Sequence, residues 1–347
     1  VFSLPRVIGI DPGTLSIDLC GLDDGRVFLD RALPTPHALA QPSTLIGLLE
    51  GAGPIELVAG PSGYGLPLKA AQDLTEADLR LAYLAAKGET GGVGGLRSLM
   101  RALAKTSIPV LLTPGVIHLP SVPAHRKVNR VDMGTADKLC TVVLAIHDHM
   151  RQGPCRPADV SLILVEAGGA FTAAIAVEGG QVVDGVGGTS GPLGARSSGM
   201  WDGEVAFLAG EVTKDMLFRG GVESMADTAD AWRAYEEGIV KAIAALTVSA
   251  PSARSIVLSG RHAHRLKPGL VTRFESADRP ITMLEGFATT AKQAAQGAAL
   301  MADGLAGGSS AELIETLGIR DAHGTVLDHL VVISSAAARA RIGIAPG

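Results

Sequence analysis

Residues 7–22, VIGIDPGTLSIDLCGL, place an acid at the end of an apolar run and follow it at once with Pro-Gly-Thr. The run reads as a buried strand that Asp11 closes. A strand, a tight corner bearing Gly13 and Thr14, and a returning strand gather backbone N–H groups and a hydroxyl at the strand ends. Such a corner cradles an anion, and the carboxylate beside it can hold a hydrated magnesium ion. It is not the dinucleotide fingerprint, because no G-x-G-x-x-G opens a helix there. Nor is it a P-loop, because Gly-Lys occurs nowhere in the chain.

The theme returns in VSLILVEAGGAFTAAIAVEGGQVVDGV, residues 160–186: a strand, a corner at Gly168-Gly169, a second strand, a Gly-Gly turn and a third strand. Two such meanders point to an internal duplication. Between them lies KVNRVDMGTADKLC, residues 127–140. Asp132 falls just before the helix expected there and Asp137 in its first turn. Two roles stand open for the pair: orienting an attacking oxygen or a metal-bound water, or capping the helix and complementing its positive end. Of the histidines, His147 and His149 sit two apart on one helix and cannot share a face as a metal pair. His262 and His264 read as loop residues, and His118 or His125 could reach a phosphoryl group.

The elements that must position these residues read as strands followed by helices. Residues 6–11, 15–21 and 26–31 form a first antiparallel meander. A helix near 43–52, a strand at 55–60, a helix opened by a capping box at Thr75, a helix near 95–105 and a strand at 108–113 follow. A Pro-rich loop then leads to a helix over 134–150. After the second meander come a long helix over 226–247, the strand SIVLSG and a small-residue helix over 288–305. One more helix, a strand and a loose tail fill 309–347. The Gly and Pro residues of RQGPCRPADV mark a boundary. The expected domains are a first lobe at 1–152, a second at 156–305 and an extension at 306–347.

Composition excludes some classes. A net charge of −5 without a long basic run argues against a general nucleic-acid binder. Charges interrupt every apolar run before it reaches bilayer-spanning length, so no membrane partner is expected. The three cysteines, Cys20, Cys140 and Cys155, lack metal-like or disulfide-like spacing, and no secretory signal opens the sequence. A cytoplasmic protein is the expectation. The 44 glycines cluster at strand ends, as they would where backbone approaches a ligand.

In this order, IGIDPGT, VEAGGAFT, IVLSGRHAH and AAQGAALMADG resemble the phosphate-1, phosphate-2, adenosine and second connecting motifs of the acetate and sugar kinase, heat-shock ATPase and actin superfamily. The resemblance covers roughly residues 6–305. It implies an α/β protein with a duplicated ribonuclease-H-like (actin-like ATPase) two-lobe fold, closing on ATP and Mg2+ in an interlobe nucleotide cleft. Asp11 would hold the metal through water, joined by Glu166 where an Asp is usual. Gly13 and Thr14 would face the phosphates from one lobe, and Gly168, Gly169 and Thr172 from the other. The adenosine turn would be Ser259, Gly260 and Arg261. Its Arg261 replaces the second glycine of the family pattern and could stack on adenine.

Residues 187–210, GGTSGPLGARSSGMWDGEVAFLAG, look like the stretch after phosphate 2 in acetate and butyrate kinases, with Arg196 as the matching arginine. Residues 127–140 resemble uncharacterised predicted butyrate kinase-like proteins. The resemblance therefore implies a small-molecule kinase acting on a carboxylate, with Asp11, Asp132, Asp137 and Arg196 as its catalytic residues. An alcohol or sugar-like acceptor and a partner-regulated actin-like ATPase are the alternatives, and a homodimer is allowed. One departure is AGPSGYGLPL at 59–68, which has no arginine where butyrate kinases carry Gly-Arg-Gly-Gly. A substrate carboxylate would then need Arg97, Arg130 or Lys138. GETGGVGGLR, residues 88–97, could serve as a glycine-hinged lid.

Overall fold

The computed structural model describes residues 4–60, 63–84, 92–274 and 279–344. Its first sheet opens with the expected meander, β1 (Arg6–Pro12), β2 (Ser16–Asp23) and β3 (Arg26–Pro34), each antiparallel to the next. Strands β4 (Leu57–Gly60) and β6 (Val110–Leu112) join it parallel to β1, and the short β5 (Lys69–Ala70) adds antiparallel to β6. The second sheet repeats the plan with β7 (Leu162–Ala167), β8 (Thr172–Glu178), β9 (Gln181–Val186), β10 (Ser255–Ser259) and β11 (Ile281–Met283). The strand orders are β3-β2-β1-β4-β6-β5 and β9-β8-β7-β10-β11. Apart from the β5 addition, both halves share one ribonuclease-H-like connectivity. The duplicated two-lobe α/β fold follows directly.

The helices before the second sheet are α1 (Thr35–Ala40), α2 (Pro42–Gly51), α3 (Glu76–Tyr83), α4 (Gly92–Leu103), α5 (Ala124–Lys127) and α6 (Ala136–Met150). Those after β9 are α7 (Gly203–Ala209), α8 (Thr228–Ser249), α9 (Ala263–Phe274), α10 (Gln293–Leu305), α11 (Ala311–Thr316) and α12 (Ser335–Arg341). The capping box at Thr75 forms, its hydroxyl accepting the Asp78 N–H.

Side chains alternate across β7 and β8. Ile163, Val165, Ala174 and Ala176 enter a core with α8 and α9, whereas Leu162, Leu164, Ile175 and Val177 join the core that contains the first lobe. Helix α10 follows β11 in sequence yet packs on β1, β2 and β4 and against α6. At Gly9 the approach is so close that a side chain would overlap the backbone of Ala295, Ala298 and Ala299. The strand ending in Asp11 is thus clamped by a helix that arrives from the second half.

Three expectations change. The small-residue helix begins at Gln293 rather than 288, because the N–H groups of Thr289, Thr290 and Ala291 donate instead to the Asp30 carboxylate on β3. No strand occurs in 309–344. Residues 319–332 instead run as turns that strap the loop before α6, where Asn129 Oδ1 accepts the N–H groups of Val331 and Val332. The helix α9 was not anticipated, since Pro268 lies inside it. The proposed lid at 88–97 falls partly outside the described residues.

Candidate active site

Asp11 and Asp18 stand directly opposite each other on β1 and β2, both buried. Like charges so paired repel. Lys292 offsets them. Its Nζ lies 3.2 Å from Asp18 Oδ2 and 2.5 Å from Ser16 Oγ. It would also stand 3.4 Å from a side chain grafted at Gly13. The corner is fixed by Thr35, whose hydroxyl donates to the Gly13 carbonyl at 2.7 Å. Thr14 is exposed at its tip.

The N-terminus of α6 brings in a second group of charges. Lys138 Nζ lies 2.6 Å from Asp137 Oδ2 and 2.6 Å from Glu166 Oε2, joining helix α6 to strand β7 of the other lobe. Thr135 donates its hydroxyl to Asp137 Oδ1 at 2.5 Å. Burial opposes a charge on Lys138, but Asp137 and Glu166 more than offset it and hold the ammonium above its ordinary range. Burial likewise opposes charge on Asp137, and Lys138 outweighs it, so that carboxyl is lowered. At Asp11 the balance goes the other way: burial first, then Asp137, outweigh the Lys138 and Lys292 charges and raise its carboxyl to about 7. Burial also raises Glu166.

The second glycine corner is built differently. The Gly168 N–H donates to the Phe171 carbonyl at 3.0 Å, closing the hairpin, while Gly169 faces open space. Thr172, expected at the phosphates, is a correction. It is fully buried and donates its hydroxyl to the Tyr235 hydroxyl at 2.9 Å, inside the second core. Arg196 does reach the corner: its N–H donates to the Ala170 carbonyl, and its guanidinium lies 5.8 Å from the Phe218 ring, which packs edge-on against Phe171. No acidic partner holds Arg196 among the described residues.

In the adenosine turn, Ser259 donates its hydroxyl to Gln293 Oε1 at 2.6 Å, tying β10 to α10. Gly260 has φ +91°, and a side chain there would meet the Ala167 carbonyl oxygen at 2.5 Å. The glycine is demanded by its own backbone and by β7. Arg261 is exposed beyond it.

Asp132 lies where the two lobes meet, within reach of the same Asp137 charge that acts on Asp11 and Glu166. Its Oδ2 accepts the Thr189 N–H and hydroxyl, both at 2.9 Å, and its Oδ1 accepts the Gly134 N–H at 3.2 Å. Its carbonyl accepts from Gly187 and Ser190. Burial, with Asp137 adding to it, raises the Asp132 carboxyl against these hydrogen bonds. Tyr64 of the SGYG loop hydrogen-bonds Thr189, and Asp132 adds to burial in raising its hydroxyl. Of the two histidines considered for phosphoryl contact, His118 is buried, bonded at Gly115 and lowered by burial to about 4, and His125 is exposed on α5.

The structure therefore gathers Asp11, Gly13, Asp137 and Glu166 around Lys138 and Lys292, with Arg196 at the opposite corner. Sequence reasoning missed Lys292 and Asp18, and it weighed Lys138 only as a substrate cation. The alternation of β2, which turns Asp18 to the same face as Asp11, was the one signal available for it.

Residues 9–332 match the family described as "Protein of unknown function (DUF1464)". No curated protein matches the chain in sequence. Among solved structures, the chain is similar to acetate kinase from Porphyromonas gingivalis, at TM-score 0.58 and 12% identity over 85% of this chain and 98% of that one. A propionate kinase from Francisella tularensis subsp. tularensis gives TM-score 0.58 at 10% identity, over 84% of this chain and 98% of the other. Acetate kinase from Entamoeba histolytica gives 0.54 at 11% identity, over 77% and 86%. These likenesses establish the fold.

Proposed function

The chain belongs to the DUF1464 family, and we propose that it is an ATP- and magnesium-dependent phosphotransferase acting on a small molecule that carries a carboxylate. One observation carries this reading. Two glycine corners from duplicated lobes face a cleft in which carboxylates of both lobes converge on the half-buried Lys138, and the exposed Lys292 pairs with Asp18 beside it. Phosphoryl transfer asks the protein for positioning and fixed charge, and this cleft supplies both.

The donor set fits a magnesium ion of the kind that keeps most of its waters and takes one or two carboxylates plus substrate phosphates. Asp11 would hold it, since a cation there offsets the burial and the neighbouring acid charge that keep its carboxyl near 7. Glu166 is engaged by Lys138, and no group of three ligand side chains closes around a point among the described residues. When bound, such an ion neutralises phosphate charge. Lys292 and the Gly13 corner bind the phosphates from the first lobe, and Lys138 holds the lobes together beneath them. Arg196, without an acidic partner among the described residues, suits the transferring phosphoryl group, which a guanidinium can grip by two bonds. An alcohol acceptor is the second reading, and the buried acid Asp132 favours it because a hydroxyl needs a base where a carboxylate does not.

The test is ADP release by the purified chain with ATP, magnesium and short-chain carboxylates, with hydroxylamine present to trap acyl phosphate. Arg196→Ala should lower kcat about a hundredfold and leave ATP binding near normal. Unchanged turnover in that variant would remove Arg196 from the site.

A further inference from the structure

Beside the α6 N-terminus lies a cavity of about 360 Å³, lined by Arg130, Val131 and Asp132 on one side and Thr189, Met200 and Trp201 on the other. A second cavity, of about 380 Å³, shares Met200 and Trp201 and continues along Val205 and Met216. These volumes suit a small molecule.

The polar groups of the first cavity form a short inventory. Asp132 is an acceptor. A carboxylate has about four lone-pair sites, and three are taken, by Gly134 and twice by Thr189. Arg130 is a donor, spending Nη1 on the Ser190 carbonyl at 3.3 Å and having no acidic partner among the described residues. Trp201 is a donor too: its indole Nε1 is buried with no acceptor. A buried donor left without an acceptor is costly, so turning the Trp201 indole toward a bound group that accepts would relieve it.

A plain carboxylate would satisfy Arg130 and Trp201 but leave Asp132 facing nothing that donates. An alcohol alone would satisfy Asp132 and leave both donors idle. We propose that the acceptor is a short hydroxy acid, its carboxylate held by Arg130 and Trp201, its hydroxyl donating to Asp132 and its apolar body lying along Met200 and Met216. The hydroxyl, not the carboxylate, is then the phosphorylated oxygen. This rests on the phosphotransfer reading above.

The step balances as follows. The hydroxyl oxygen bonds to the γ-phosphorus of ATP as its proton passes to the Asp132 carboxylate. The bond from that phosphorus to the β-bridging oxygen breaks, and ADP leaves with the electron pair. The product is a phosphate monoester, and Asp132 returns its proton to water. Burial and the Asp137 charge raise the proton affinity of Asp132, and the Thr189 and Gly134 hydrogen bonds oppose them. Tyr64 and Arg130 are the other titratable or charged groups placed about it.

The experiment uses the whole chain with ATP and magnesium and a panel of 2-, 3- and 4-hydroxy acids of four to six carbons, beside butyrate and 1-butanol. ADP release and phosphorus NMR of the products are read. At least one hydroxy acid should yield a monoester that resists hydroxylamine, with butyrate giving no hydroxamate and butanol a kcat/KM about a hundredfold or more lower. Asp132→Asn should cut kcat about 100- to 10,000-fold and flatten the acidic limb of the pH profile, with ATP affinity kept. Because Asp132 also ties the lobes, Trp201→Phe gives an independent check: KM for the hydroxy acid rises while kcat stays close to its original value. A hydroxamate from butyrate without any monoester overturns the proposal and leaves phosphotransfer standing. ATP binding with every hydroxy acid inert overturns it as well. Absence of ATP binding overturns both.

Discussion

The two glycine corners share a topology and differ in chemistry. At the first, between β1 and β2, two buried acids face each other and Lys292 comes to meet them. At the second, between β7 and β8, the one acid, Glu166, is neutralised by Lys138, and the residues that follow, Phe171 and Thr172, turn to aromatic partners. Duplication copied the strand order but not the charge. The first lobe is left with an acid under electrostatic tension, the second with a corner whose parts are already satisfied. On the proposed phosphotransfer reading, a cation and its phosphates would gain most at the first corner, and the second would supply shape, an open glycine and Arg196.

The sharpest break in this contrast is Asp11→Asn. Turnover should fall about a thousandfold, since a neutral amide cannot offset a metal's charge. Stability should move the other way. A carboxyl whose native pKa is raised to about 7 binds protons more tightly folded than unfolded. Its contribution is present in full below about pH 4 and is lost as pH rises through 7. In magnesium-free buffer at pH 8 the Asn variant should melt at a higher temperature than the parent, and the gap should close at pH 4. A lower melting temperature at pH 8 would show that Asp11 is not strained.

Next come the glycines of the second lobe. Gly260→Ala should destabilise by about 3 kcal/mol or more, summing the left-handed φ with the collision at Ala167. Gly169→Ala meets open space and should leave the melting curve unchanged while weakening ATP binding. If the two variants are equally unstable, Gly169 is structural and the corner does not face a ligand.

Both meanders were legible because alternation and glycine corners are local signals, and Asp11 stood out as an acid closing an apolar strand. What escaped depends on partners far away in sequence. The start of α10 is set by Asp30, some 260 residues earlier. The pairing of Lys138 with Glu166 joins two motifs that read separately as a cap and a metal ligand. The need for glycine at 260 also comes from afar: a side chain there would meet the Ala167 carbonyl, a contact that the motif's own spacing does not reveal. The strand expected in 309–347 failed because apolar residues there, Val331 and Val332, are exposed, and their N–H groups go to Asn129 instead of a sheet.

Glu166→Gln probes the neutralised acid. Lys138 keeps Asp137, so its charge stays paired, and the loss is that of one charged hydrogen bond, about 2 kcal/mol. Thermal denaturation should show that loss, and kcat should fall about tenfold through looser lobes, far less than in Asp11→Asn. A drop as large as that of Asp11→Asn would make Glu166 a direct metal ligand and erase the asymmetry between the corners.

The smallest effect tests the residue that parts most from its sequence reading. The superfamily resemblance implies a phosphate contact for Thr172; in the structure its hydroxyl is sealed against Tyr235, itself fully buried among Ile239, Ile243 and their neighbours. Thr172→Val keeps the shape and deletes the donor, leaving the Tyr235 oxygen one bond short, so stability should fall by about 1 kcal/mol. KM for ATP should stay within twofold, because nothing that meets a nucleotide has moved. Thr172→Ser restores the hydroxyl and should recover most of the lost stability, which a phosphate contact would not require. Were the hydroxyl instead turned to a phosphate when the cleft is filled, the valine variant would melt normally and its KM would rise about tenfold. The second corner would then hold phosphate through a side chain as well as its backbone, and the contrast between the lobes would narrow to Asp11 alone.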